Sequence, residues 1–362
     1  MDTSTTPRII QLADQIMADI AVRGLQSGDP YLGTAEAARM LGVSTTSANR
    51  AMQLLVQRNV LSRRQKRGTY VADGIHGNAQ RTIDRVHLVV NNTYLATEGL
   101  MADGVIVGIQ SVLPHAEIEF NHLPGSDDTA WVSELIAKTA RSQQAEGFVL
   151  ARSSLTSQRL FQASGLPSVI FGSRFPSIQA LPSIDRDQVE AGRLLTTWLF
   201  EQGAGKLGVL MRNQVLPGDH SFMDSIWRTA AELGLTPGDL MLRFIPTDEK
   251  AVQHATRDLV HEHGANGLIC RSQPLAELAA KTVQSSKQKR VRATRIVVSD
   301  VYYRNQAKLP WPSIGTVDSA EAIGAQLAKV LVDQAQGQFS AKEIRQLPVQ
   351  LNAPQIPDLA LG

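Results

Sequence analysis

The chain has 362 residues, 36 Lys or Arg against 34 Asp or Glu, and a formal charge of +2. That length leaves room for two or three domains. Its single cysteine, Cys270, excludes an intrachain disulfide or a Cys-rich metal site, and no run approaches the ~20 apolar residues of a membrane helix. The N-terminus, MDTSTTPRII, lacks the charged-then-apolar layout of a secretory signal, so a cytoplasmic protein is expected. Charge is uneven: residues 1–75 hold nine Lys or Arg and six Asp or Glu, a balance of +3, which leaves −1 for the remainder. A basic head on a near-neutral body predicts local affinity for polyanions.

Ile9, Leu12, Ala13, Ile16, Met17 and Ile20 form one apolar stripe, which predicts a helix over 8–22. Gly24, Gly28 and Pro30 then break the chain. Thr34 is placed to cap a second helix, Ala35 to Met40. Gly42 permits a sharp reversal and Ser44 can cap a third helix. On that third helix Ala48, Ala51, Met52 and Leu55 share one face, while Thr46, Asn49, Arg50, Gln53 and Gln57 share the other. The polar face has no carboxylate. By itself it fits an ordinary solvated surface as well as an element that reads base edges in a major groove.

The following residues tip the balance toward DNA. Val60 to Arg64 and Thr69 to Val71 read as short strands around Gln65-Lys66-Arg67-Gly68, with Gly68 making the turn. Arg63, Arg64, Lys66 and Arg67 crowd this hairpin, and there is no Asp or Glu between Ala37 and Ala72. Such a stretch suits a phosphate backbone. The expected DNA-binding set is Thr34, Ser44, Thr45, Thr46, Asn49, Arg50, Gln53, Arg63, Arg64, Lys66, Arg67 and Gly68. Thr45, Thr46, Asn49 and Arg50 would enter the major groove. Arg67 and Gly68 would approach the minor groove, and Arg63, Arg64 and Lys66 would sit on phosphates.

In this order the helix 8–22, Gly28-Asp29, the Thr34-to-Leu41 helix, Gly42-Val43-Ser44, Arg50-Ala51 and Arg67-Gly68-Thr69-Tyr70-Val71 resemble the winged helix-turn-helix head of the GntR family of bacterial regulators. Leu32-Gly33-Thr34-Ala35 stands where that family usually has Pro-Ser-Glu-Arg. Thr45 and Asn49 stand where it usually has arginines, so the resemblance implies an operator unlike the common one. The expected DNA-binding domain is 1–72, followed by a polar linker, 73–84.

From Arg85 the pattern changes to alternating strands and helices. Val86 to Val90, Ala116 to Phe120, Gly147 to Ala151, Ser168 to Phe171, Lys206 to Met211, Met241 to Ile245, Leu268 to Cys270 and Arg295 to Ser299 read as strands. Glu98 to Val112, Thr129 to Arg141, a stretch after Asp187, Ser221 to Leu233, Asp248 to His263 and Pro274 to Ser285 read as helices. This predicts parallel sheets covered on both faces, in two halves that part near Asp185. Pro182-Ser183-Ile184-Asp185, Ala191-Gly192-Arg193, Ala231-Glu232-Leu233-Gly234-Leu235, Gly267-Leu268-Ile269-Cys270, Ile296-Val297-Val298-Ser299-Asp300 and Ile314-Gly315-Thr316-Val317-Asp318 resemble, in this order, the LacI/GalR effector domain and the periplasmic-binding-protein-like fold. The fold class is therefore α/β: an N-terminal winged helix-turn-helix plus a two-lobed periplasmic-binding-protein-like domain of parallel sheets over 85–352. The resemblance implies that the chain crosses between lobes more than once. Lobe 1 is expected at about 85–186 and 300–318, lobe 2 at about 187–299 and 319–352. Gln346 to Leu351 resembles a closing strand.

Ligands of such sheets lie off the carboxyl ends of the strands. The candidate effector residues are Asn91, Asn92, Arg152, Arg174, Arg212, Asp219, Phe222, Arg271, Ser272, Asp300 and Tyr302. Arginines at these positions suit an anionic or polyhydroxylated ligand, and Phe222 and Tyr302 could stack on an apolar sugar face; Trp227 reads as core. No dinucleotide fingerprint, P-loop or Gly-x-Ser-x-Gly motif occurs. His261-Glu262-His263 places its histidines on different helical faces, unlike a zinc pair. No cofactor, metal or catalytic residue is expected. The resulting expectation is a transcription regulator, a repressor in proteins of this kind, that binds a palindromic DNA operator as a homodimer and responds to a sugar-like effector, rather than an enzyme. The rival reading is an exported solute-binding protein of a transport system, which the basic head disfavours.

Overall fold

The computed structural model describes residues 8–26, 28–57, 60–64, 68–72, 83–91, 103–123, 129–142, 144–300, 309–338 and 344–354. Its elements in chain order are α1 (Arg8–Val22), β1 (Pro30–Tyr31), α2 (Thr34–Leu41), α3 (Thr45–Gln57), β2 (Leu61–Arg64) and β3 (Gly68–Val71) in the head. The body continues with β4 (Arg85–Asn91), α4 (Asp103–Val112), β5 (Glu117–Leu123), α5 (Thr129–Thr139), β6 (Glu146–Ala151), α6 (Leu155–Ser164), β7 (Ser168–Phe171) and β8 (Ser183–Arg186). Then come α7 (Gln188–Glu201), β9 (Leu207–Arg212), α8 (Pro217–Glu232), β10 (Leu240–Ile245), α9 (Glu249–Arg257), β11 (Gly267–Ser272), α10 (Gln273–Gln284), α11 (Lys289–Arg292) and β12 (Arg295–Asp300). The chain closes with β13 (Ser313–Thr316), α12 (Ala320–Ala335), β14 (Ile344–Leu347) and β15 (Val349–Asn352).

The head has its own core. The apolar faces of α1, α2 and α3 meet through Leu12, Ile16, Ile20, Ala37, Ala51, Met52 and Leu55, sealed by Leu61 and Val71 from the hairpin. Gly42 ends α2 in the left-handed conformation, at φ +64°, which glycine tolerates without a Cβ clash. Ser44 caps α3 as expected, its hydroxyl accepting from the Ser47 N–H at 3.2 Å. Thr34 does not cap α2; it is the first helical residue, Gly33 is the cap, and the Glu36 carboxylate accepts the Gly33 N–H at 2.9 Å. Pro30–Tyr31 is more than a break. It pairs antiparallel with Thr69 and Tyr70, which makes the hairpin the core of a three-stranded sheet in the order β1-β3-β2. Proline is tolerated there because β1 is an edge strand.

The body is two parallel sheets. The first runs β14-β8-β7-β6-β4-β5; the second runs β10-β9-β11-β12-β13-β15, with only β15 antiparallel. Alternation along the strands feeds a core on each face. In β4, Val86, Leu88 and Val90 pack toward α4 and α12, while Val89 packs with Val132, Phe148 and Phe161 on the other side. In β11, Leu268 and Cys270 face α9 and α10, and Ile269 faces α7 and α8. Cys270 is a buried core residue, and that burial raises its thiol pKa.

The crossovers correct the expected lobe assignment. The strand at 313–316 stays in the second sheet, paired with β12 and β15. The helix at 320–335 and the strand at 344–347 return instead to the first lobe, where α12 packs on α4 and β14 pairs with β8. Gln346 to Leu351 is not one closing strand; Pro348 separates β14 in the first sheet from β15 in the second. Ile83 and Asp84, expected in the linker, belong to the first lobe: Ile83 is buried in its core and Asp84 accepts the Ala145 N–H at 2.8 Å. Residues 73–82 lie outside the described residues.

The α4–α12 contact leaves no space between backbones. A Cβ on Gly324 would stand 2.0 Å from the Val105 carbonyl oxygen, and one on Gly108 would stand 2.0 Å from that of Glu321. Gly324→Ala gains up to about 1 kcal/mol of helix propensity, yet the clash forces the helices apart, so a net destabilisation of about 2 kcal/mol is expected in urea melts.

Candidate functional site

Where the two sheets face each other, five strand ends and two helix starts converge. Asp300 ends β12 in the second lobe and is 8% exposed. Its Oδ2 accepts from Arg152 Nη2 at 2.8 Å and from Arg212 Nη1 at 2.9 Å. Its Oδ1 accepts from Arg271 Nη1 at 2.5 Å and, at close range, from Arg186 Nη2. Arg152 and Arg186 come from the first lobe, off the ends of β6 and β8; Arg212 and Arg271 come from β9 and β11 of the second. One carboxylate thus ties the lobes together through four guanidiniums.

A second acid completes the arrangement. Asp219, 1% exposed in the first turn of α8, accepts from Arg271 Nε at 2.6 Å, from Arg212 Nη2 at 3.2 Å and from the Leu216 N–H at 2.9 Å. Arg271 also donates to Ser299 Oγ at 2.7 Å and to Gln188 Oε1 at 3.0 Å, and its guanidinium lies 4.6 Å from the centre of the Phe222 ring. Arg186 Nη1 donates to the Ser299 carbonyl at 3.1 Å. Asp185 accepts from the Ser173 hydroxyl, the Arg186 N–H at 2.8 Å and the Gln188 amide at 3.2 Å. Gly218 lets α8 approach this corner: a Cβ there would meet Ser173 Oγ at 2.6 Å.

The electrostatics follow from that geometry. Burial pushes the Asp300 carboxyl up, but Arg271, Arg186, Arg212 and Arg152 outweigh it and hold the group well below the usual carboxylate range. Burial also opposes the Asp219 charge, and Arg271, Arg212 and the Leu216 N–H again hold its pKa low. Arg152 adopts φ +49°, the only left-handed non-glycine among the described residues. Such a backbone costs of order 1 kcal/mol and persists where surrounding structure holds it.

Arg152, Arg212, Asp219, Arg271 and Asp300 of the expected effector set are therefore brought together. Arg174 is not; burial lowers its pKa and its Nη1 donates to the Leu181 carbonyl at 3.2 Å. Phe222 is fully buried beneath Arg271, so it cannot stack on a ligand as expected. Ser272, in register with Asp300, keeps a buried hydroxyl without a partner among the described residues. Trp227, read as core, is 40% exposed. The side chain of Asn91, and all of Asn92 and Tyr302, lie outside the described residues. Arg186, Gln188 and Ser299 join this network without being among the expected residues, although Arg186 directly follows the Pro182-Ser183-Ile184-Asp185 crossover.

In the head, Thr45, Thr46, Arg50 and Gln53 are exposed along α3. Arg63 Nη2 donates to Asn49 Oδ1 at 2.8 Å and approaches Thr34 Oγ1 at 3.4 Å, so the hairpin, α3 and α2 share one polar contact. Gly68, at φ +100°, opens β3; Gln65, which precedes Lys66 in the expected turn, lies outside the described residues. Lys66, Arg67 and the Arg64 side chain lie outside the described residues.

A scan of family models and a search of curated proteins give no match to this sequence. Solved structures do match. The transcriptional regulator CelR–cellobiose complex superposes with a TM-score of 0.62 at 16% identity, over 86% of this chain and 90% of that one. A LacI family transcriptional regulator from Enterococcus faecium with bound ribose gives 0.59 at 15%, over 74% and 96%. The transcription regulator CcpA of Lactococcus lactis gives 0.60 at 15%, over 75% and 98%. The shared property is the fold. The body is a two-lobed α/β domain of parallel sheets like the LacI-type effector domains, and no helix among the described residues is long and apolar enough to cross a membrane.

Two outcomes follow for the ion network. Because the folded carboxyls lie below their unfolded values, their stabilisation is fully present above about pH 4 and is lost as pH falls through the depressed folded values. Melting temperature should fall steeply only below that point, and less so for Asp219→Asn relative to its own neutral-pH value. Arg271→Met removes the guanidinium shared by Asp219 and Asp300 but leaves both on Arg212, and Asp300 also on Arg152 and Arg186, so it should cost about 1.5–3 kcal/mol in urea melts.

Proposed function

We propose that this protein is a ligand-responsive transcription regulator. The observation that carries the reading is the joining, in one chain, of a basic three-helix head with a hairpin to a two-lobed body whose lobes meet through ion pairs. The head is a winged helix-turn-helix of the GntR type. Its α3 carries Thr45, Thr46, Asn49, Arg50 and Gln53 into the major groove, Arg63, held on Asn49, fixes the hairpin relative to α3, and Arg64, Lys66 and Arg67 reach phosphates and the minor groove. A homodimer through the body would place two heads on a palindromic operator. The effector is a sugar or sugar derivative in the interlobe cleft, as cellobiose and ribose are bound to two of the matched regulators. Its binding resets the lobes and the spacing of the heads, with a coupling of ~1–3 kcal/mol. Regulation is repression in the cytoplasm, with no chemical step.

The donor-rich cleft supports this role over catalysis. The two acids at its centre, Asp219 and Asp300, are paired with guanidiniums and held ionised, which suits them to positioning donors rather than to moving protons.

DNA binding is checked by anisotropy on duplex fragments across a salt series. Arg50→Ala and Lys66→Ala should each weaken binding, and Lys66→Ala should reduce the log–log salt slope by about 1. An unchanged slope in Lys66→Ala removes the hairpin from the interface.

A further inference from the structure

The interlobe seam is chemically one-sided. Arginine has donors only, and four arginines line it. Asp300 offers two oxygens, and each already receives two guanidinium donors, so the lone-pair sites of the carboxylate are filled. Asp219 likewise receives two guanidinium donors on Oδ1 and a backbone N–H on Oδ2. A neutral polyol entering here would find no vacant lone pair on Asp300 and only one on Asp219, a residue that is 1% exposed. It could bind the arginines only by replacing charge-assisted bonds with weaker neutral ones. An oxyanion exchanges like for like.

Two further observations point the same way. Arg152, the most exposed of the four arginines, is held in a left-handed backbone conformation. The buried Ser272 hydroxyl beside Asp300 lacks a partner among the described residues and can donate to an incoming oxygen. Arg152 and Arg186 belong to the opposite lobe from Asp300, so their pairing is the part of the network that lobe movement would break.

We propose that Asp300 is a built-in stand-in for the anionic group of the effector. The effector carries a phosphate or carboxylate whose oxygens take the guanidiniums of Arg152 and Arg186 in place of Asp300. No bond is made or broken; one oxyanion replaces another, and the interlobe contact is re-made through the ligand. This rests on the sensor reading of the same cleft and narrows it to anionic ligands.

The test uses the full chain, with inorganic phosphate, gluconate, glucose 6-phosphate and glucose as probes in thermal melts and calorimetry at fixed salt. Asp300→Asn keeps the side-chain shape and removes the competing charge. It should bind inorganic phosphate about tenfold more tightly than the wild type, whereas a direct role of Asp300 in holding a neutral sugar predicts weaker binding. Arg152→Gln should remove the anion-induced rise in melting temperature, and it decides the matter if Asp300→Asn does not fold. Gluconate against glucose 6-phosphate separates carboxylate from phosphate ligands. The proposal is overturned if glucose stabilises the protein and the anions do not, if Asp300→Asn weakens phosphate binding, or if Arg152→Gln leaves an anion response intact. Loss of duplex DNA binding is a separate readout: its absence in the wild type would overturn the regulator reading while leaving an anion site in place.

Discussion

The body depends on the bonding of one buried carboxylate to arginines from two lobes. Without it, Arg152 and Arg186 on one side would face Arg212 and Arg271 on the other, and like charges at such distances in a weakly screening environment repel strongly. Asp300 turns that repulsion into attachment, and Asp219 neutralises part of the remaining positive charge. A buried network of this kind is a poor source of net stability, because desolvation offsets most of the attraction. It is better suited to selecting one relative position of two bodies, since few other positions satisfy every donor.

The rest of the architecture serves that seam. Parallel sheets put the carboxyl ends of β6, β8, β9, β11 and β12 on facing edges, which is why residues from 152 to 300 can meet. Tight backbone approach at Gly108 and Gly324 locks α4 to α12, and Gly192 brings α7 within reach of the Phe222 carbonyl of α8. The layers behind the seam are therefore closely packed, so any relative movement of the lobes would be taken up where they meet. Phe222, placed under Arg271, shows the same logic at the scale of one side chain: its ring orients a guanidinium instead of waiting for a ligand.

The head obeys a different rule. Its core is a small apolar seam, and its outer face has no acid from 37 to 72. The bond from Arg63 to Asn49 joins the hairpin to α3, so both elements present themselves as one surface. A surface built this way would meet the proposed DNA partner with little reorganisation.

Local order was legible in the sequence. Apolar spacing in α1 and α3, the Gly42 reversal and the strand runs of the body are encoded by nearest neighbours along the chain, and they appear where periodicity places them. The residues at strand ends were also legible, because a strand followed by Arg or Asp announces itself. Tertiary packing decided the rest. Whether β13 and α12 lie in one lobe or the other depends on contacts between segments distant along the chain, such as β13 with β15 and β14 with β8. The same is true of Arg186 joining the seam while Arg174 turns to the Leu181 carbonyl. Sequence alone determines that such a guanidinium is present. Only the folded chain determines which carboxylate it meets, because ion pairing is set by distance in space and not by position along the chain.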